Sequence, residues 1–290
     1  MSKLITVVHC WSAPRSRSTA LLYSFEARGE DQCVALDEPL YREWLLAKGD
    51  DVARPYLKEM IEGIPPPKPS PDSTLETKED GGSTEEEEDQ EEWRWKRELS
   101  SLNERIAEGV KTLRQNYNSN DTSNSNNNFG GVIFAKHMAK HEFLYDFDNE
   151  YKLDDDGDNS DDVEIIHRHL LLIRDPCAVL SSWGVSGGVH GDNPTSDEVG
   201  IVPLLSIFSK LESRMDGIQP VVLDSDELVN DPEDALFSVC ERLQIPFTKS
   251  MLTWPAGKHK CDGPWAKVSI GLQENEYGTL SYGKCQCRCV

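Results

Sequence analysis

Leu4-Ile5-Thr6-Val7-Val8-His9-Cys10-Trp11-Ser12-Ala13-Pro14-Arg15-Ser16-Arg17-Ser18-Thr19 opens the chain with a short, mostly apolar run containing β-branched residues, which passes directly into a polar turn. Beyond the turn, Ala20, Leu21, Leu22 and Phe25 fall at helical spacing, so the segment reads as strand, turn and helix. A turn feeding a helix start offers backbone N–H groups without intrahelical partners and the positive end of the helix dipole, a combination that holds an anionic phosphate. Pro14, Arg15, Ser16, Arg17, Ser18 and Thr19 make up this candidate cradle. The pattern G-x-x-x-x-G-K-S/T of nucleotide triphosphatases is absent: the turn has no glycine, and an arginine stands where those loops use lysine. On spacing alone, a capped helix start with exposed arginines stays open as the alternative.

A second junction of the same kind follows later. Leu170 to Ile173 is an apolar strand that runs into Arg174-Asp175-Pro176, and Ala178 to Trp183 is helical up to Gly184. Ser182 lies two helical turns after Arg174, which makes the pair a candidate second phosphate clamp and points to a nucleotide with phosphates at both ends. Further strands are expected at Cys33–Leu36, Val132–Ala135 and Pro220–Leu223, and helices from about Tyr41 to Glu62 and from Asp231-Pro232-Glu233-Asp234 onward. In the last of these, Asp231 is the expected cap and Pro232 fills the first turn. The strand at Cys33 is expected to end at Asp37-Glu38-Pro39, because a residue before proline favours extended backbone. Short apolar strands alternating with helices predict a three-layer α/β fold with a central parallel sheet.

The 290 residues suffice for one domain of ordinary size with insertions. The net charge of −22 is concentrated: residues 72–92 contribute −10, residues 146–164 contribute −9, and the remainder only −3. The acidic total therefore describes two solvated runs rather than the pocket, and it argues against a nucleic-acid partner. Residues 63–131 read as an insertion, with a proline cluster, an acidic run and a Ser/Asn-rich stretch that predict disorder. Within it, Trp95, Leu99, Leu102, Ile106, Val110 and Leu113 predict one helix over Glu92–Gln115. The acidic run at 146–164 is expected to be a loop. No secretory signal and no run of the roughly 20 apolar residues needed to cross a bilayer is present, and the eight cysteines are mostly scattered, so the expectation is a cytoplasmic, reduced-thiol protein without a membrane partner.

With these residues in view, the run Trp11 to Thr19 resembles the 5′-phosphosulfate loop of sulfotransferases that use 3′-phosphoadenosine 5′-phosphosulfate (PAPS). Arg174 and Ser182 resemble that family's 3′-phosphate site. Asp226-Glu227-Leu228 with Asp231-Pro232-Glu233, Met251 to Gly257, Asp262 to Ala266 and Lys136 to His141 are similar to segments of the sulfotransferase-like branch found in bacteria and in plant branched-chain aminotransferase-like proteins. The resemblance spans residues 1–267 outside the two acidic insertions, and it implies a P-loop sulfotransferase-like domain with PAPS as co-substrate and no metal. It further implies that Arg15 contacts the 5′-phosphate and the bridging oxygen, where charge builds as the sulfuryl group leaves. Ser16, Ser18 and Thr19 would cradle that phosphate, and Arg174 with Ser182 would hold the 3′-phosphate. Arg17 stands where many relatives have glycine, so contact with the donor and exposure to solvent both stay open.

Sulfuryl transfer to a hydroxyl or amine of a small-molecule acceptor needs a base. Glu38 is the first candidate, since it ends a strand at the carboxyl edge of the sheet, where open α/β sheets bind ligands, and Asp37 beside it would raise its pKa if both were buried. His141 and His137 are rivals that spacing does not separate from it. Asp154-Asp155-Asp156-Gly157-Asp158 fails the calcium-loop pattern, because Lys152 and Val163 fall at the first and last ligand positions. Cys285, Cys287 and Cys289, with Cys261, do not match metal-site spacing. Trp93 and Trp95 are expected to anchor the insertion helix. Residues 268–290 depart from the family's pattern and read as a divergent Cys-rich tail, which leaves the covering of the site open. Two other function classes remain at this stage: a magnesium-dependent kinase or hydrolase, for which Asp175 is the candidate metal ligand, and a non-catalytic nucleotide-binding or interaction module.

Overall fold

The computed structural model describes residues 2–48, 100–119, 128–153, 163–185, 194, 196–214, 218–263 and 279–281. Five parallel strands, β1 (Lys3–Ser12), β2 (Cys33–Asp37), β3 (Phe129–Met138), β4 (Val163–Ile173) and β5 (Val221–Asp224), form a sheet in the order β2-β3-β1-β4-β5. β1 lies at the centre with a neighbour on each side, and every residue from Ile5 to Ser12 is buried, as a strand covered on both faces requires. Its side chains alternate between two cores. Val8 and Cys10 point to one, with Leu21 and Phe25 of α1 (Ser18–Glu26). Ile5, Val7 and Trp11 point to the other, with Ile106 and Leu113 of α3 (Leu102–Ser119). The result is three layers around the parallel sheet.

β3 and β4 are longer than their apolar cores at Val132–Ala135 and Leu170–Ile173 predict. Each follows β1 along its full length, from Leu4 opposite Phe129 to Ser12 opposite Met138, and from Lys3 opposite Val163 to Ser12 opposite Leu172. The polar residues Lys136, His137, His167, Arg168 and His169 interrupt the apolar pattern but not the ladder. This aligns the carboxyl ends of β1, β3 and β4 along one edge.

α2 (Tyr41–Lys48) follows β2, and the rest of the expected helix to Glu62 lies outside the described residues. The insertion helix is α3, which starts at Leu102 and runs past the expected end at Gln115 to Ser119; residues 92–99 of the expected span lie outside the described residues. Ser101 starts it with reciprocal capping: its Oγ accepts from the Glu104 N–H at 3.3 Å, and its own N–H donates to the Glu104 carboxylate at 2.7 Å. Leu102, Ile106, Val110 and Leu113 then face the sheet. Trp93, Trp95 and the acidic run at 72–92 lie outside the described residues. Of the acidic stretch at 146–164, residues 146–153 carry no helix or strand and 154–162 are not described.

After β4 come α4 (Pro176–Val185), the single turn α5 (Ser196–Val199) and α6 (Ile201–Glu212). β5 leads into α7 (Ser225–Asn230) and α8 (Pro232–Leu243). Asp224 caps α7 by accepting from the Asp226 N–H, and Asp231 caps α8 by accepting from the Asp234 N–H with Pro232 in the first turn, as expected. β6 (Thr253–Pro255) pairs antiparallel with β7 (Thr279–Ser281), the described part of the tail. Cys285, Cys287 and Cys289 lie outside the described residues, and the described cysteines Cys10, Cys33, Cys177, Cys240 and Cys261 are not joined in disulfides. Among the described residues no helix is long and apolar enough to cross a membrane.

Candidate active site

The loop between β1 and α1 is built on strained backbone. Arg15 and Arg17 have φ of 66° and 68°, the left-handed region that L side chains seldom adopt. Ser16, fully buried, closes the turn by donating from Oγ to the Ala13 carbonyl at 2.6 Å. Arg17, the residue at the N-cap of α1, makes no side-chain capping bond, and the first turn of the helix faces the loop. Ser18 is buried at that turn and Thr19 is exposed beside it. Gly200, at φ 81° before α6, presses on the loop from the other side: a Cβ there would stand 2.6 Å from the Ala13 Cβ.

The two segments singled out as phosphate sites meet here. Arg15 Nε donates to Ser182 Oγ at 3.0 Å, and Arg174 donates to the Arg15 carbonyl at 2.6 Å. These contacts join residues 167 and 159 positions apart. Pro14 is half-buried at the head of the turn. Arg17 turns to the start of α7, where it pairs with Asp226 and donates to the Ser225 carbonyl at 3.0 Å. Asp226 and Ser225 were not singled out as partners of the loop, although the Asp-Glu-Leu run after an apolar strand marked their place.

Glu38 stands at the end of β2 on the same sheet edge. Its φ of 45° departs from the extended geometry expected before Pro39, and its N–H donates to the Lys136 carbonyl at 2.9 Å. Of four described non-glycine residues with positive φ, three (Arg15, Arg17 and Glu38) lie in this region, and the fourth, Gln244, ends α8. Backbone strain of this kind persists where surrounding contacts enforce it, and it gathers at functional sites. Lys136 sits between Asp37 and Glu38, in contact with the first and 3.3 Å from the second. The parallel register that sets Asp37 opposite Lys136 creates this triad, which linear sequence does not display. Burial raises the Glu38 pKa, Lys136 pulls it back, and the Asp37 charge pushes it up again, leaving it above the ordinary glutamate value. Burial alone would lower the Lys136 pKa, but the two carboxylates more than reverse this, so the ammonium stays charged.

The two histidines take different places. His141 is buried in the 3-10 turn after β3, with its ring 5.3 Å from Trp44 and 6.2 Å from Tyr41 of α2. His137 is fully buried within β3, its ring stacked on Trp11 and its Nε2 3.1 Å from His9 Nδ1. Burial and the neighbouring His169 hold its pKa down to about 3. Asp175 is engaged as a cap, accepting from the Ala178 N–H of α4 at 2.9 Å.

Against this geometry, residues 132–274 match the model of the family described as sulfotransferase domain. The chain is also similar along its length, with a TM-score of 0.51, to the solved sulfotransferase domain from the curacin biosynthetic pathway; the two are 13% identical, with 98% of this chain and 89% of that one aligned. Over residues 132–274 the chain is similar to the sulfotransferase domain family. Two curated relatives from Arabidopsis thaliana, branched-chain-amino-acid aminotransferase-like proteins 2 and 1, are 33% and 32% identical to it, in each case over 90% of this chain and 34% of the relative. The sulfotransferase-like chain thus spans about a third of the length of the curated relatives it matches. Its family match begins within β3, so the loop at Arg15 lies before the matched span, while Arg174 and Ser182 lie inside it.

Proposed function

We propose that this sulfotransferase-like chain transfers a sulfuryl group from PAPS to a hydroxyl or amine of a small-molecule acceptor. One observation carries the reading: the loop at Arg15 and the clamp at Arg174 and Ser182, recognised separately as sites for the two phosphate ends of one nucleotide, meet in a single network. The start of α1, with two arginines and three hydroxyls around it, suits a phosphate. PAPS supplies the activated sulfuryl group. Arg15 steadies the charge that grows on the bridging oxygen, an interaction strongest in the transition state. Arg174 and Ser182 hold the 3′-phosphate by charge-assisted hydrogen bonds worth about 1.5–3 kcal/mol each. Glu38, with its raised pKa, takes the proton from the acceptor oxygen or nitrogen as that atom bonds to sulfur, and Lys136 balances the carboxylates beside it. Localisation in the cytoplasm and the absence of a nucleic-acid partner remain part of the proposal.

The kinase or hydrolase reading is less well supported, because it rests on Asp175 as its candidate magnesium ligand, and one oxygen of that carboxylate already accepts from the Ala178 N–H of α4. The test is incubation of the full chain with PAPS carrying radioactive sulfur and a panel of small hydroxyl and amine acceptors. Label is expected in an acceptor without added metal, on the order of 10²-fold more slowly with Arg15→Ala. Magnesium-dependent ATP turnover with no transfer from PAPS would overturn the reading.

A further inference from the structure

Four histidines that the proposed reaction does not use meet on one face of the sheet. His9 on β1, His137 on β3, and His167 and His169 on β4 stack with ring centroids 5.1–5.3 Å from His9. Residues 145–153 cover them with Tyr145, Phe147 and Glu150, and Arg214, just after α6, reaches Glu150 from the side. The neighbours on this face are apolar: Val7, Trp11, Leu171 and Leu211. Burying several imidazoles and a carboxylate among such residues costs free energy unless every polar atom finds a partner.

The hydrogen-bond directions here are set by the ends of the network. Trp11 can only donate, and its indole N–H lies 3.2 Å from His169 Nδ1, so His169 carries its proton on Nε2 and donates to Glu150 at 2.7 Å. The Tyr151 carbonyl can only accept, so His167 carries its proton on Nε2, 2.8 Å away. The lone pair on His167 Nδ1 then faces His9 Nε2 at 2.9 Å. The Tyr145 hydroxyl stands 3.0 Å from His9 Nε2 and 3.0 Å from Glu150 Oε1. Donor atoms of His9, His167 and Glu150 all lie within 4.8 Å of one another.

We propose that His9, His167 and Glu150, with the Tyr145 hydroxyl or a water as fourth ligand, bind a late first-row divalent cation, with Zn²⁺ the best match. Two imidazole nitrogens and one carboxylate oxygen are a donor set that zinc favours. Tetrahedral bonds of about 2.0–2.1 Å separate ligand atoms by about 3.3 Å, so the contacts at 2.9 and 3.0 Å need open by only a few tenths of an ångström. The outer atom of each ligand is already held as metal ligands usually are: His167 Nε2 by the Tyr151 carbonyl, His9 Nδ1 by His137, and the second oxygen of Glu150 by Arg214 at 3.1 Å. In the metal-free network the proton between His9 and His167 resides on His9 Nε2. On metal binding it moves to His9 Nδ1, and the proton on His137 Nε2 moves to its Nδ1, so both rings stay neutral. His137 Nδ1, buried without a hydrogen-bond partner, has room in its bonding for that change. A small cleft lined by His167, His169, Arg214 and Ile218 leads to the cluster.

The test uses the full chain, free of any histidine tag and stripped with a chelator, titrated with Zn²⁺ in competition with a chromophoric chelator and separately with Co²⁺. The expected result is one equivalent of Zn²⁺, a Co²⁺ spectrum of tetrahedral type without thiolate charge-transfer bands, and binding at least about 100-fold weaker in Glu150→Gln, whose shape is conserved, and in His167→Asn. A variant with Cys285, Cys287 and Cys289 all replaced by serine is expected to bind like wild type. Failure of the stripped wild type to take up Zn²⁺, or uptake that survives both ligand substitutions and is abolished by the serine variant, would overturn the proposal and leave the cluster a proton-ordered structural network.

Discussion

Lys136 illustrates how one buried cation sets the chemistry of its neighbours. With 4% of its side chain exposed, it offsets part of the charge of Asp37 and Glu38 at the end of β2, and without it the two carboxylates would face each other in a poorly solvated place. Lys136→Met is expected to destabilise the fold by about 3–5 kcal/mol in denaturant titration, because removing one partner leaves buried charge without compensation. Glu38 offers a milder probe. As a base it must be ionised, and its pKa is raised by burial and by Asp37, so the acid limb of the rate against pH lies above the ordinary glutamate value of 4.5. Asp37→Asn removes the like charge and should shift that limb downward, whereas Glu38→Gln should abolish it together with most of the rate. A limb that ignores both substitutions would remove Glu38 from the mechanism.

At the scale of elements, the loop between β1 and α1 is held between α4, α6 and α7. Gly200 lets the start of α6 approach Ala13, and Gly200→Ala combines a 2.6 Å clash between Cβ atoms with a positive φ of 81°. A loss of about 1–3 kcal/mol in stability is expected, with weaker nucleotide binding than the stability change alone explains. Much of this scaffold is legible in the sequence, because its signals are local. The apolar run from Leu4 and the helical spacing after Thr19 place β1 and α1, and Asp231-Pro232 places the start of α8. Arg174 and Ser182 are recognisable from their positions on a strand end and a helix. What was not legible depends on pairing between distant segments: Lys136 opposite Asp37, Arg17 against Asp226, and four histidines brought together by three strands. The polar ends of β3 and β4 also escaped the apolar pattern, since their neighbours in the sheet, not their own hydropathy, keep them extended.

Across the whole molecule, the segment after α8 returns to α1 and closes the fold. His259 stacks on Tyr23 at 3.7 Å and pairs with Glu26, whose second carboxylate oxygen accepts from the Cys261 N–H at 2.9 Å. Burial would lower the His259 pKa, but Glu26 raises it above 6.5; burial would raise the Glu26 pKa, but His259 lowers it below 4.5. The histidine contribution is complete below 6.5 and fades as pH rises through its raised value; the glutamate contribution is complete above 4.5 and fades as pH falls through its lowered value. His259→Gln is therefore expected to lose most stability between 4.5 and 6.5, by about 1.5–3 kcal/mol, and progressively less in more alkaline buffer. In the proposed reading the closed fold serves a single nucleotide site shared by residues from both halves of the chain. Calorimetric titration of the full chain with 3′-phosphoadenosine 5′-phosphate in the absence of metal, beside ATP with magnesium, on wild type and Arg174→Ala, tests that site directly. Metal-independent binding of the bisphosphate, much tighter than ATP and weakened at least about 10-fold by Arg174→Ala, is the predicted result; absence of bisphosphate binding, or equal binding in the variant, would contradict it.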